Sequence, residues 1–333
     1  MFPALLFSIF LPLINKPVPP DVSQLHPIYT HLPESTSITQ MANGTLLVSV
    51  KDGSIIALGA NNSYTTILDM HNQVNNNTDR GITAARIRPG TDDLFMLYAA
   101  ETPLPDSNQD TILVAGKYNV TSHVLTQISQ NANDVNFQSH STADIVFYRG
   151  VPYASFGDGR DSADKNQGYN TVYGAGFNGK IVNLDTLQPY AIGFRNPWRM
   201  TVFADTIYTT DVGDETWEEI DKVQQNANYG WPCLEGPTQT DVWNRCVTDA
   251  RSQFTAPFIV YDHGVGEAAT AIVSYKGELL FADFVRNWVR DVHMNTRYTG
   301  SGGIVDMQVL NGCLYAVTIE FDNSTNVLTT CSS

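Results

Sequence analysis

Several short segments hold side chains able to do chemistry. SHSTADIVFY places His140 just ahead of a strand-like run, and a neutral imidazole at pH 7 can take a proton from a hydroxyl. RNP sets the Arg195 guanidinium beside the Asn196 amide, with Pro197 fixing the chain direction after them. A planar guanidinium can donate to a carbonyl oxygen and steady negative charge growing there. DVGDETWEEI gathers oxygen donors: Gly213, Asp214, Glu218 and Glu219. Calcium takes six to eight oxygens, main-chain carbonyls included, and a glycine lets the backbone turn to present them. GDG supplies Asp158 and Gly159, a common turn sequence, and DRGI supplies Asp79. No nucleophile elbow of the form G-x-S-x-G occurs, which argues against a hydrolase of that type.

These segments must be positioned by strands. Helical periodicity is weak, and short alternating apolar runs bounded by Gly, Asp or Asn dominate. One pattern recurs six times, a tight turn followed by a strand. The copies begin at Asn43-Gly44, Asp92-Asp93, Arg149-Gly150, Ala204-Asp205, Lys276-Gly277 and Asn311-Gly312. Gly44 and Gly312 are five steps apart, a mean period of about 54 residues, within the propeller range. A β-sandwich has no need of one hairpin repeated at such long spacing. The expectation is an all-β, six-bladed β-propeller, a single domain over 25–333, in which radial stacking buries both faces of each blade.

Composition narrows the setting. The net charge is −15, with 19 Lys and Arg against 34 Asp and Glu, so nucleic acid and anionic membrane surfaces are disfavoured partners. The apolar start MFPALLFSIFLPLIN is too short to span a bilayer and reads as a signal peptide over 1–18. No later stretch reads as a transmembrane segment. Sequons at Asn43, Asn61, Asn76, Asn119 and Asn323 agree with a secreted, extracellular glycoprotein. Four cysteines allow three pairings; the local pairs Cys233–Cys246 and Cys313–Cys331 are preferred.

The central third carries a specific block: GFRNPWRM (Gly193 to Met200), TTDVGDETWEEIDKV (Thr209 to Val223) and NANYGWPCLEG (Asn226 to Gly236). It resembles the glucose/sorbosone dehydrogenase family, the soluble quinoprotein sugar dehydrogenases. DRGI, SHSTADIVFYRGVPYASFGDG (Ser139 to Gly159) and LLFADFVRNWV (Leu279 to Val289) resemble further family segments more loosely. The resemblance implies a six-bladed propeller, as the repeat count does. It implies pyrroloquinoline quinone (PQQ) and a calcium ion at the channel mouth, and oxidation of a sugar at its anomeric carbon. His140 then matches the catalytic base, Arg195 and Asn196 the quinone contacts, and Asp79, Asp158 and Gly159 cofactor-lining positions. Gly213 and Asp214 match the loop whose carbonyls hold calcium, with Glu218, Glu219 and the Tyr229 carbonyl as further ligands. NYGWP is expected to be structural, with Trp231 packed between blades. Ser139 stands where the family often has a carboxylate, so the residue orienting His140 is left open. Without a haem-attachment motif, electrons would pass to an external acceptor.

The late part departs from the family. The glucose-oxidising branch pairs the three quinone carboxylates with basic residues here. This chain has Val285 then Arg286, and no basic residue in GGIVDM (Gly302 to Met307). Leaving a buried carboxylate unpaired costs several kcal/mol; Arg286 or Arg290 is the available substitute. The alternative function is a non-catalytic secreted propeller that binds a protein or carbohydrate, as the related propellers of Hedgehog-interacting proteins do.

Overall fold

The structure, a computed structural model, describes residues 21–77, 80–101, 111–132, 139–159, 165–247 and 253–332. The signal peptide read over 1–18 lies outside them. Six four-stranded antiparallel sheets form a six-bladed propeller. The six repeated turns are the hairpins between the first and second strands of the blades. These first strands are Ser35–Gln40, Ile82–Ile87, Thr142–Tyr148, Pro197–Phe203, Ala269–Tyr275 and Gly303–Leu310. In Arg149-Gly150, Lys276-Gly277 and Asn311-Gly312 both residues have positive φ, the twist-matched hairpin turn that favours glycine second.

The second strands are buried on both faces. Along Asp93–Glu101, Leu94 and Met96 pack towards blade one while Phe95 and Leu97 pack towards blade three. A strand buried on both faces reads as a continuous apolar run. The core is thus six slabs, one between each pair of neighbouring blades. The ring closes because His26–Leu32 pairs antiparallel with Thr325–Thr329 as the outer strand of blade six. Both preferred disulfides are present, with Cα atoms 6.0 Å apart for Cys233–Cys246 and 5.6 Å for Cys313–Cys331.

The first strands line the central axis, and four buried ions plug it. Arg86 reaches Asp144 at 2.8 Å and Asp306 at 2.8 Å, and Arg199 stands 3.4 Å from Asp306. The Arg199 guanidinium also donates to the carbonyls of Thr36, Thr83 and Ala143. Residues of blades one, two, three, four and six are tied through two arginines and two aspartates of zero net charge.

Candidate functional site

One end of the channel opens into a cavity of about 420 Å³. Every blade contributes, because the loops entering each first strand converge on this face. Blades one and two supply Glu34, Lys51 and Arg80; blades three and four supply His140 and Asn196. Blades five and six supply an apolar wall that includes Phe284, Val305 and Ile319. Lys51 is ion-paired to Glu34 at 3.0 Å. Gly81, at φ +116°, brings the entry to blade two against Lys51: a Cβ there would lie 2.3 Å from the Lys51 carbonyl oxygen. Arg80 and Lys51 are thereby neighbours on one side of the cavity.

His140 is set by backbone and by a carboxylate. Its φ is +51°, and its carbonyl accepts the Gly159 N–H at 3.0 Å. A Cβ on Gly157 would lie 2.3 Å from that carbonyl oxygen, so only glycine permits the approach. The His140 Nδ1 lies 2.9 Å from an Asp158 oxygen. The other Asp158 oxygen accepts the Trp231 indole N–H at 2.8 Å, and the Asp158 N–H donates to the Arg195 carbonyl at 2.7 Å. Asp158 is 2 % exposed, so its geometry is determined on every side. A carboxylate on Nδ1 favours the tautomer that leaves Nε2 as the proton acceptor.

Arg195 faces another way. Its guanidinium donates to Asp214 at 3.0 Å and to the Val212 carbonyl at 3.1 Å, and lies 5.5 Å from the Trp231 ring centre. Asp214 also meets Lys165 at 3.0 Å. The turn that follows is clamped by Glu235, one oxygen of which accepts the N–H groups of Asp214, Glu215, Thr216 and Trp217 at 2.8–3.0 Å. Burial alone would raise the Glu235 pKa, but these four donors hold it below the usual range. A Cβ on Gly213 would lie 1.6 Å from the Trp217 carbonyl oxygen, so the turn demands glycine there.

A family model for glucose/sorbosone dehydrogenase matches residues 32–301. The chain belongs to the glucose/sorbosone dehydrogenase family. Among solved structures, the PQQ-bound aldose sugar dehydrogenase of Streptomyces coelicolor aligns with a TM-score of 0.71, at 15% identity over 91% of this chain and 96% of its own. The soluble aldose sugar dehydrogenase of Escherichia coli gives 0.67 at 13% identity, covering 92% of this chain and 98% of its own. Likenesses at such identity speak for the fold. Among curated proteins, the HIPL1 protein of Arabidopsis thaliana is 30% identical over 30% of this chain and 20% of its own length. The HIPL2 protein is 35% identical over 22% and 11%. The matched part of this chain thus spans a fifth or less of these curated relatives.

Placed in this family frame, the expected site residues separate. His140, Asp158 and Asn196 meet at or beside the cavity, whereas the Arg195 guanidinium is turned to Asp214 and is not among the lining groups. Gly159 acts through its N–H to His140, and Asp79 lies outside the described residues. Glu218 is wholly buried; its carboxylate takes the N–H groups of Gly213 and Ala269 and lies 3.1 Å from His263 Nε2. Burial pushes its pKa up to about 8, against those donors. Glu219, next along the strand, points the opposite way, towards Asp211 and Asp221. The Tyr229 ring stacks on Phe194 and its hydroxyl donates to the Lys222 carbonyl. Trp231 is buried as expected, and it also bonds Asp158. The proposed late substitutes stand elsewhere: Arg286 pairs with Glu267 at 2.6 Å, and Arg290 lies over the Trp288 ring. Both are drawn off because their neighbours offer a carboxylate and an aromatic face. Sequence reading missed Lys51, Arg80 and Glu34, whose only signal is that each flanks a strand end facing the channel.

Proposed function

We propose that this chain is a secreted sugar oxidoreductase whose reacting centre is the cavity at His140. The observation carrying this reading is the His140–Asp158 pair opening on a channel-mouth cavity beside Asn196. His140 takes the proton of the anomeric hydroxyl at Nε2, Asp158 holds the imidazole and offsets the charge it gains, and Trp231 holds Asp158. Asn196 lines the same cavity, and its amide would donate to a substrate or cofactor oxygen. Two disulfides fit an oxidising, extracellular setting.

Calcium and PQQ are the groups proposed for the cavity. For calcium the donor chemistry fits: convergence of four N–H groups on Glu235 leaves the carbonyls of the Gly213–Asp214 turn as the oxygens to offer. For the quinone, Asn196, Arg80 and the Glu34-paired Lys51 are the polar groups that would hold it, from blades four, two and one. When bound, PQQ would supply a hydride acceptor for the substrate carbon, with an external acceptor needed to reoxidise it. Arg195 braces the Val212–Asp214 turn rather than reaching into the cavity.

The apolar wall of Phe284, Val305 and Ile319 favours a second reading, a propeller that binds a protein or carbohydrate ligand without turnover. One experiment separates the two. PQQ and calcium are titrated into the purified protein by calorimetry, and dye reduction is then followed with a panel of aldoses. Quinone binding with sugar-dependent dye reduction that disappears in His140→Ala supports the enzyme. A folded protein that binds no quinone overturns it in favour of the binder.

A further inference from the structure

The last hairpin of blade six carries an apolar side chain out into water. Phe321 is 97% exposed, whereas no other large apolar side chain among the described residues exceeds 55%. It lies in the turn over 320–324, between the second and third strands of blade six, Cys313–Ile319 and Thr325–Thr329. The turn is well made. The Glu320 N–H donates to the Ser324 carbonyl at 2.9 Å and the Asn323 N–H to the Glu320 carbonyl at 3.0 Å. The Ser324 N–H donates to an Asp322 oxygen at 2.9 Å. An ordered backbone thus holds Phe321 in solvent, where its ring forgoes the burial that aromatic side chains usually find.

Two residues on, Asn323 opens the sequon Asn323-Ser324-Thr325. Asn323 is exposed, has φ +63°, and its side-chain amide has no hydrogen-bond partner among the described residues. Not every sequon is so placed. At Asn119 the side-chain Nδ2 donates to Asp93 at 2.9 Å, and its Oδ1 accepts the Thr121 and Ser122 N–H groups. Two residues of chain span at most about 7 Å, so a sugar joined to Asn323 Nδ2 begins within reach of the Phe321 ring. A β-linked N-acetylglucosamine presents axial C–H groups on one face and an acetamide methyl at its side. Such weakly positive C–H groups suit the negative face of an aromatic ring.

We propose that Asn323 carries an N-linked glycan whose first N-acetylhexosamine covers Phe321. The donor is an oligosaccharide joined to an isoprenoid diphosphate. Its anomeric C1–O bond breaks and C1 bonds to Asn323 Nδ2. The lipid diphosphate leaves with the electron pair, and the amide loses one proton. The sequon hydroxyl is read before this end of the chain folds, because Thr325 is 0% exposed and its Oγ1 accepts the Ser35 N–H at 2.8 Å. Ile319, at the end of the preceding strand, lines the cavity, so the glycan stands on the blade-six side of its mouth. This inference rests on the secreted part of the proposed function and requires no turnover at His140.

The test uses the full chain secreted from eukaryotic cells. Enzymatic glycan release in heavy-oxygen water turns each glycosylated asparagine into a labelled aspartate, and peptide mass spectrometry should find that label at position 323 in most molecules. The exposed Asn43 and Asn61 are the references for passage through the export route. Glycans at those two with Asn323 bare would overturn the site and leave secretion standing; bare asparagines at every sequon would overturn both. The contact with Phe321 is read from four secreted proteins: wild type, Asn323→Asp, Phe321→Ser and the double variant. Aspartate tolerates the left-handed backbone at 323, so the turn is kept without the glycan. Its loss should lower Tm by about 1–3 °C when Phe321 is present and by less than half as much in Phe321→Ser. The acetamide methyl resonance of the first sugar should lie upfield in the wild type and return to its ordinary position in Phe321→Ser. An equal Tm loss in both backgrounds, or a methyl resonance that ignores Phe321→Ser, would overturn the contact and leave Phe321 to a protein or membrane partner.

Discussion

His140 and Asp158 meet at 2.9 Å although they are eighteen residues apart, because they stand at the two open ends of one hairpin. His140 leads into Thr142–Tyr148, Asp158 follows Val151–Phe156, and the Thr142↔Phe156 pairing returns one to the other. If Asp158 positions a catalytic imidazole, Asp158→Asn should lower sugar-dependent dye reduction at least tenfold with little change in KM. His140→Ala should lower it by about 10²–10⁴, the usual contribution of a general base. Unchanged turnover in Asp158→Asn, with the fold intact by circular dichroism, would show that the pair is architectural.

The channel plug makes a claim about stability. Arg86 sits between Asp144 and Asp306, all three buried, and these neighbours keep the guanidinium firmly charged despite the burial that opposes it. Arg86→Leu leaves two buried carboxylates facing each other with only Arg199 nearby. Removing one partner of a buried ion network costs about 3–5 kcal/mol. Urea unfolding should show a midpoint lowered to match, whereas Asp306→Asn, which keeps the hydrogen-bonding shape, should lose less. Equal midpoints for wild type and Arg86→Leu would mean the ring closes without the plug.

The blade count was legible because the first hairpins need turns with positive φ, and that need writes Gly, Asn or Asp into the sequence at Gly150, Asp205, Gly277 and Asn311-Gly312. Ring closure by His26–Leu32 was not, since a strand pairing across nearly the whole chain leaves no local pattern. His140 and Asn196 could be placed through motif resemblance, but the direction of the Arg195 side chain depends on Asp214 and Lys165, which come from separate loops. Glu219 was named through the resemblance, whereas its buried neighbours Asp211 and Asp221 were not. Their alternation in TTD and EEID shows one face, yet acidic residues on a strand read as solvent-facing until the neighbouring sheet is known to cover them.

Two glycines test whether backbone or packing sets their identity. Gly277 has φ +82° and nothing within 4 Å of a hypothetical Cβ, so Gly277→Ala should cost only the strain of a left-handed residue, about 1–2 kcal/mol. Gly213 has ordinary φ, but its Cβ would strike the Trp217 carbonyl oxygen at 1.6 Å, so Gly213→Ala must open the turn clamped by Glu235. Thermal melts should therefore show a modest loss for Gly277→Ala and a larger one for Gly213→Ala. The reverse order would mean that the turn gives way easily.

Asp291 in blade five predicts an acid response with a definite sign. Its carboxylate accepts the N–H groups of His293 at 2.9 Å and Asn295 at 3.0 Å, and the Arg297 Nε–H at 2.9 Å. Burial opposes the charge, but these donors outweigh it and hold the pKa below the ordinary aspartate value. A carboxyl whose pKa is depressed on folding stabilises the native state above its unfolded pKa, near 3.9, and loses that contribution as pH falls through the folded value. Asp291→Asn should thus be less stable than wild type at pH 7 by about 1.5–3 kcal/mol, the range for hydrogen bonds to a charged acceptor. Chemical unfolding from pH 7 down to pH 2 should show the two proteins converging below about pH 4. A gap that stays constant across that range would assign the difference to packing instead of the ionised carboxylate.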